Sequence, residues 1–405
     1  MGTTGHDIHI LVSGGGIAGN AVALQLLRAG IRTTVLERAA APRPGGQAVD
    51  LRGASREVAE RMGLMAGIRK TQLHELGFAH VDAQGREFGV MPVEMFDGKG
   101  PIADIEISRG DLNQVLLDAV AEAADGWLDY RYGDWITDLR QDDSGVDVTF
   151  ASGGTERFDL VIGADGLHST TRALVFGPEE QFRTYLGGYI SFFTLPTPSD
   201  IKPGWMALRT VPKANFGIRP DYDPDTCKAI ISLRIPEDPA LRRDPAAQKQ
   251  RIRDHLTGAG WHAETVVAAM DRADDFYFDI LARVDLPTLS KGRVVMLGDA
   301  GYCGSPMTGM GTAMAIVGAY VLAGEIAATP DDLTGALARH EQQLRPFLEK
   351  AQEIPGGGLS RMLPDSAFGL KMMRLTIKIM MAKPLRPLVA KMFFGKTDDY
   401  VLPTY

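Results

Sequence analysis

Ile8 to Ser13 is a short apolar run that ends on Gly14-Gly15-Gly16, and a helical spacing of apolar residues through Leu24 and Leu27 follows it. The pattern predicts a strand, a tight turn and a helix. Gly30 stands where a helix needs a left-handed residue to end on, and Thr33 to Glu37 predicts a second strand parallel to the first. The chain therefore opens with a βαβ unit. Arg56 to Gly63 and Asp111 to Ala124 predict two further helices, the second with Leu112, Val115, Leu116 and Ala119 on one face. Alternation in stretches such as Tyr189 to Thr194 and Ala229 to Ile235 marks a mixed sheet. At Arg293 to Leu297 a buried-strand pattern returns, and a long apolar helix is expected from Thr312 to Ala327. The expected architecture is α/β: one domain in three pieces (1–77, 108–181 and 286–330), a mixed β-sheet domain inserted into it (78–107 and 182–285), and a C-terminal helical segment (331–405). Pro355-Gly356-Gly357-Gly358 predicts a flexible break before the tail.

Gly14, Gly16 and Gly19 form G-x-G-x-x-G directly after the first strand. In a dinucleotide site the first glycine permits the turn, the second lets the backbone approach a pyrophosphate and the third lets helix and strand pack closely. The helix N-terminus, at Ile17 and Ala18, then faces the phosphates. Glu37 closes the second strand, where a carboxylate accepts from ribose hydroxyls, and Arg38 follows it. A Rossmann-like dinucleotide site follows from this context, which leaves FAD and NAD open.

Length and charge narrow the field. With 405 residues the chain exceeds what one core usually serves, in keeping with two domains. Lys and Arg number 43 against 51 Asp and Glu, and the net charge of −8 gives no counterion-release drive for nucleic acid. Cys227 and Cys303 are too few for a disulfide framework and are expected as free thiols of a reducing compartment. The polar N-terminus predicts no apolar signal segment, and no uninterrupted apolar run of roughly 18 residues is expected to span a membrane. A cytoplasmic enzyme is expected. The eight histidines show no H-E-x-x-H spacing and no C-x-x-C occurs, so no metal is expected. No G-x-S-x-G elbow occurs either.

Two later motifs complete a set. Gly163-Ala164-Asp165-Gly166-Leu167-His168-Ser169-Thr170-Thr171-Arg172 follows a strand, and Gly298-Asp299-Ala300-Gly301-Tyr302, with Pro306, Gly309 and Gly311, opens the long apolar helix. In this order the three motifs resemble those of aromatic-hydroxylase-type (group A) flavoprotein monooxygenases, over about residues 8–330. Gly45-Gly46-Gln47-Ala48-Val49-Asp50-Leu51 is similar to a segment of tetracycline-inactivating flavin monooxygenases, and Ser108-Arg109-Gly110-Asp111-Leu112 to the family's R-x-x-L segment. The resemblance implies a Rossmann-like FAD-binding domain that holds FAD non-covalently. Asp50 and Arg109 would border the flavin, and Asp299 would meet a ribityl hydroxyl. The backbone of Thr308 to Thr312 would stabilise charge on the reduced flavin. Asp165 would brace the pyrophosphate region, with the alternative that Asp165, Ser169 and Arg172 form a strand-to-helix cap and ion pair. The family commonly has His where this chain has Tyr302, and Asn and Asp where it has Ala313 and Gly318.

The activity so implied is hydroxylation of an aromatic or polycyclic small molecule, with NAD(P)H as a transient reductant and O₂ as co-substrate, through a flavin C4a-hydroperoxide. No second G-x-G-x-x-G occurs, so the reductant is not expected to have a domain of its own. Such chemistry needs a dry pocket more than a side-chain nucleophile, and no catalytic acid or base is assigned. Phe192, Phe193, Met206 and Phe216 are expected to wall the substrate pocket. A flavin dehydrogenase or reductase without oxygen insertion, and a non-enzymatic flavoprotein that sequesters a small molecule, are the alternatives. The Met-rich cationic tail from Leu370 to Phe394 is expected to pack on the enzyme body, with a membrane surface or the substrate entrance as alternatives.

Overall fold

A computed structural model describes residues 6–43, 45–96, 105–354, 358–381 and 400–405. The expected break at Pro355-Gly356-Gly357 and the part of the amphipathic tail beyond Met381 lie outside the described residues.

Six strands form the first sheet, in the order Ser290–Lys291, Val294–Met296, Leu160–Gly163, His6–Ser13, Ile31–Glu37, Leu128–Tyr132. All run parallel except the first, which turns back on its neighbour. Parallel strands are covered on both faces, so their sequences read as continuous apolar runs. Ile10 to Val12, Leu160 to Ile162 and Val294 to Met296 are accordingly all fully buried. The Ile17–Arg28 helix ends on Gly30 at φ +73°, as its sequence requires, and packs in one core with the apolar Gly311–Ala328 helix. Val294–Met296, far along the chain, lies beside Leu160–Gly163, so the first sheet is completed late.

The Gly311–Ala328 helix corrects one expectation, because its 18 residues are long and apolar enough to cross a membrane by length and composition. It is instead a core helix of this fold, with 72% of that stretch buried inside it.

A second sheet has seven strands, in the order Tyr277–Val284, Arg183–Pro196, Thr226–Leu233, Ala214–Pro220, Trp205–Val211, Gly77–Val81, Glu87–Pro92. Trp205–Val211 and Gly77–Val81 pair in parallel and the rest antiparallel, which makes the sheet mixed. Helices Pro245–Leu256 and Ala263–Arg272 cover one face, packing Ile252, Leu256, Val266 and Met270 against Phe193, Phe216, Ala229 and Ile231. Alternate residues along these strands point to the opposite face. Arg219, on that face, pairs with Glu75 and with Glu106, and all three side chains are almost wholly buried. Glu106 belongs to a small three-stranded sheet of Ala48–Asp50, Glu106–Ser108 and Gln72–Leu73.

The Ala367–Met380 helix lies against the edge strand Glu87–Pro92, with the Arg374 guanidinium 4.5 Å over the Phe88 ring. Tyr405 closes the chain by donating its hydroxyl hydrogen to Glu325 at 2.9 Å.

Candidate functional site

The strand His6–Ser13 delivers Gly14 to the carboxyl edge of the first sheet. Gly14 has φ +115°, and a Cβ there would lie 2.4 Å from the Ala164 carbonyl oxygen. Inside the helix, a Cβ on Gly19 would lie 1.8 Å from the Gly14 carbonyl oxygen. The fold alone therefore requires both glycines. Gly16 is different: its φ of −84° suits any residue, and a Cβ there would meet nothing within 4 Å. Neither backbone nor packing calls for glycine at this point. A ligand backbone lying against it does, as a pyrophosphate would. The helix begins at Ile17 and Ala18 without a side-chain cap, leaving its first N–H groups to face the same opening.

Glu37 is fixed beside this turn, accepting from the Gly15 N–H at 2.9 Å and the Ala39 N–H at 2.8 Å. One hydrogen bond per oxygen leaves lone pairs for ribose hydroxyls. Arg38 is exposed, its guanidinium 4.9 Å over the Trp135 ring and 3.4 Å from the Thr170 hydroxyl.

The third motif sits on the first. Gly298, at φ +63°, packs so closely on the first helix that a Cβ would lie 2.8 Å from that of Ala18. Asp299 follows with its carboxylate exposed. The turn beyond it is strained at Ser305, a non-glycine residue at φ +71°, and left-handed again at Gly309. Such backbone is costly and concentrates at functional sites. Pro306 and Gly309 are exposed, and the helix that starts at Gly311 has no side-chain cap, so its N-terminal N–H groups and the Asp299 carboxylate border one opening. That donor set fits FAD: N–H groups and an open glycine for phosphates, carboxylates for ribose and ribityl hydroxyls, and a positive helix end for the isoalloxazine.

In the middle motif, the Asp165 carboxylate is taken up by its own chain. It accepts from the Ser169 hydroxyl and from the Thr171 N–H and hydroxyl at 2.9 and 3.0 Å. Ser169 in turn caps the Thr170–Val175 helix by accepting from the Arg172 N–H at 2.8 Å. The Arg172 guanidinium, fully buried, donates to the carbonyls of Leu167 and Ala300, bolting this motif to the third. This is the cap-and-brace geometry, with Asp165 at one end of it.

Asp50 is ion-paired with Arg52. Arg109 opens the Arg109–Ala123 helix behind its cap Ser108; its backbone N–H donates to the Gln47 carbonyl at 2.9 Å and its side chain is exposed. Residues 45–50 and Arg109 are thus brought together.

The four residues expected to wall the pocket do not share one face of the sheet. Neighbouring residues of a strand point to opposite faces. Phe193 and Phe216 lie in the core under the two covering helices, 1% and 0% exposed. Phe192 points the other way and stacks on Tyr277, ring centroids 6.2 Å apart. Met206 and Phe78, in register on paired strands, also alternate onto the face away from those helices. Phe193 and Phe216 are therefore core residues, a correction to the expected wall, while Phe192 and Met206 stand on the face away from the covering helices.

The departures at Tyr302 and Gly318 compensate one another. Tyr302 is buried, and a Cβ on Gly318 would lie 2.1 Å from its hydroxyl oxygen. The larger residue occupies the room that the glycine leaves.

His168, which stands in the second motif, centres a cluster whose distant members the sequence did not reveal. Its Nδ1 lies 3.0 Å from Glu179 and its Nε2 3.0 Å from Asp279, which also accepts from the Tyr277 hydroxyl at 3.0 Å. The two carboxylates raise the His168 pKa to about 9 against the cost of partial burial. Tyr277 and Asp279, two apart on one strand, carried the only local signal.

Comparison with known proteins agrees with this geometry. The model of the FAD binding domain family matches residues 7–339. The chain is 34% identical to the FAD-dependent monooxygenase asL6 of Sarocladium schorii, covering 98% of each chain. It is 34% identical to a flavin-dependent monooxygenase of Legionella longbeachae over 86% of this chain and 88% of that one. Among solved structures, tetracycline destructase Tet(51) superposes with a TM-score of 0.79 at 32% identity, covering 99% of this chain and all of that one. The chain belongs to the FAD binding domain family and is an FAD-dependent monooxygenase.

Proposed function

We propose that this monooxygenase hydroxylates an aromatic or polycyclic small molecule, tetracycline-like compounds among them, with NAD(P)H as electron donor, in the cytoplasm. The observation that carries the reading is Gly16, a glycine that neither its φ nor its packing requires, set beside two uncapped helix N-termini. The polycyclic class is supported by the likeness to a tetracycline destructase over the whole chain. We retain the division into an FAD-binding part and an inserted substrate part.

FAD held there would supply the redox chemistry, the use of NAD(P)H electrons to activate O₂ so that one oxygen atom enters the substrate and the other leaves as water. The chain's residues do the rest. Gly14, Gly16, Gly19 and the first N–H groups of the Ile17–Arg28 helix would hold the pyrophosphate, and Glu37 the adenosine ribose. Asp299 would orient the ribityl chain, and the N–H groups at Gly311 and Thr312 would stabilise negative charge at the pyrimidine edge. Asp50 and Arg109 would border the ring. Asp165 serves the site through the helix that it caps. The face bearing Phe192 and Met206 excludes water from the reacting atoms, which separates productive oxygen transfer from peroxide release.

The reading is tested by denaturing purified protein and assaying the supernatant, then following NADPH oxidation with a panel of phenols and tetracyclines. Released FAD and substrate-stimulated oxidation are expected. Release of NAD in place of FAD would overturn the cofactor assignment.

A further inference from the structure

We propose that Tyr277 is an aromatic wall residue of the flavin crevice, and that His168 and Asp279 are positioning residues that lock its ring in place. The inference rests on FAD binding at the site described above. Tyr277 starts the edge strand of the second sheet and is 41% exposed. Burial nonetheless pushes its hydroxyl well above the ordinary tyrosine range, and Arg109 and Asp299 both act electrostatically on it. Through Asp279 the ring is tied to His168, which stands in the loop that follows Leu160–Gly163 and leaves the first sheet at the same edge as Gly14; this half-open ring therefore stands at the crevice. One face of the ring already stacks on Phe192, and the residue stays 41% exposed.

The hydroxyl end of that ring is held by a chain that reaches back to the middle motif. Tyr277 donates to one Asp279 oxygen at 3.0 Å, while the other accepts from the Ile280 N–H at 2.8 Å and from His168 Nε2 at 3.0 Å. His168 Nδ1 donates to Glu179 at 3.0 Å. Glu179 is itself held by Arg183 at 3.0 Å, Arg242 at 3.4 Å and Arg172 at 3.7 Å. Arg242 also approaches Nδ1 at 3.3 Å, and it is the one cation facing the imidazole among the described contacts. Two carboxylates outweigh it, and the imidazolium persists to about pH 9. Only the charged ring donates from both nitrogens at once. Because the folded pKa is raised, the clamp is complete below the unfolded value near 6.5 and is lost as pH rises through about 9.

Steady-state emission of the bound flavin tests this without a substrate, since a tyrosine in contact with isoalloxazine quenches it by electron transfer and phenylalanine does not. FAD content is measured first by absorbance. Wild-type protein purified without FAD would refute the cofactor reading, not this one. In the FAD-loaded holoenzyme, Tyr277→Phe should raise bound-flavin emission and Tyr277→Trp should restore quenching; unchanged emission in both overturns the wall assignment. Wild-type emission should rise as pH passes about 9, and His168→Gln and Asp279→Asn should each show the raised emission at neutral pH and lose that transition. Wild-type emission and pH profile in both variants would overturn the positioning role. So would a double variant, Tyr277→Phe with His168→Gln, that differs from Tyr277→Phe alone. Should a variant retain no FAD, near-ultraviolet tyrosine circular dichroism of the apoprotein reads the same ring. A pH-dependent signal near 9 that survives His168→Gln then counts against the proposal.

Discussion

Replacing Gly16 and Gly19 separately by alanine distinguishes a glycine that the ligand needs from one that the fold needs. In Gly19→Ala the new methyl meets the Gly14 carbonyl oxygen at 1.8 Å, a backbone atom that cannot swing aside. Helix and strand must part, and overpacking of this kind costs about 1–3 kcal/mol or more. In Gly16→Ala the methyl meets no protein atom within 4 Å at a φ of −84° that alanine adopts freely, so apoprotein stability should stay within about 0.5 kcal/mol of wild type. Its methyl points instead into the space assigned to the pyrophosphate. An overlap of about 1–3 kcal/mol there raises the FAD dissociation constant roughly 5- to 150-fold. Urea unfolding of both apoproteins and flavin titration by fluorescence quenching give the two numbers. Gly16→Ala should keep the apoprotein midpoint and lose FAD affinity, whereas Gly19→Ala loses both. A Gly16→Ala protein that binds FAD like wild type would refute the placement of the pyrophosphate.

Three further outcomes follow from the same geometry. Asp299→Ala removes an exposed carboxylate and should weaken FAD binding by about 1.5–3 kcal/mol, or roughly 10- to 150-fold, with a native circular dichroism spectrum. Arg219→Met removes the cation that the buried Glu75 and Glu106 share and should cost about 3–5 kcal/mol near neutral pH by urea unfolding. Met206→Gln should raise the share of NADPH consumed as peroxide at near-native stability, while Phe193→Ala should cost about 3–5 kcal/mol of stability with unchanged coupling.

The residues that were legible along the chain are those whose constraint is local. A strand, three glycines and a helix within the first thirty positions can do few other things, and the late apolar run at Arg293 to Leu297 announces that the first sheet is completed by a distant segment. Ser108 moved a helix start by two residues because its hydroxyl captures the Asp111 N–H at 3.0 Å, a cap that periodicity alone does not reveal. The period of a strand by itself excludes Phe192 and Phe193 from one wall, since adjacent residues cannot share a face. Which face meets the helices was not readable, because both carry large apolar residues. Arg219 with Glu75, and His168 with Asp279, stand 144 and 111 positions apart, and nothing local in either partner marks the other. Asp165 shows the complementary limit: one short motif encoded both a cap and a ligand contact, and only the hydrogen bonds to Ser169 and Thr171 reveal the cap.

The central claim is that one atom of molecular oxygen enters the substrate. Turnover under ¹⁸O₂ with NADPH, read by mass spectrometry on the aromatic compound that most stimulates NADPH oxidation, addresses it directly. The account predicts a product carrying one ¹⁸O atom, and none when the label is supplied as H₂¹⁸O. A product formed in step with NADPH oxidation but free of ¹⁸O would contradict the account and leave a flavin-dependent dehydrogenase or reductase in its place.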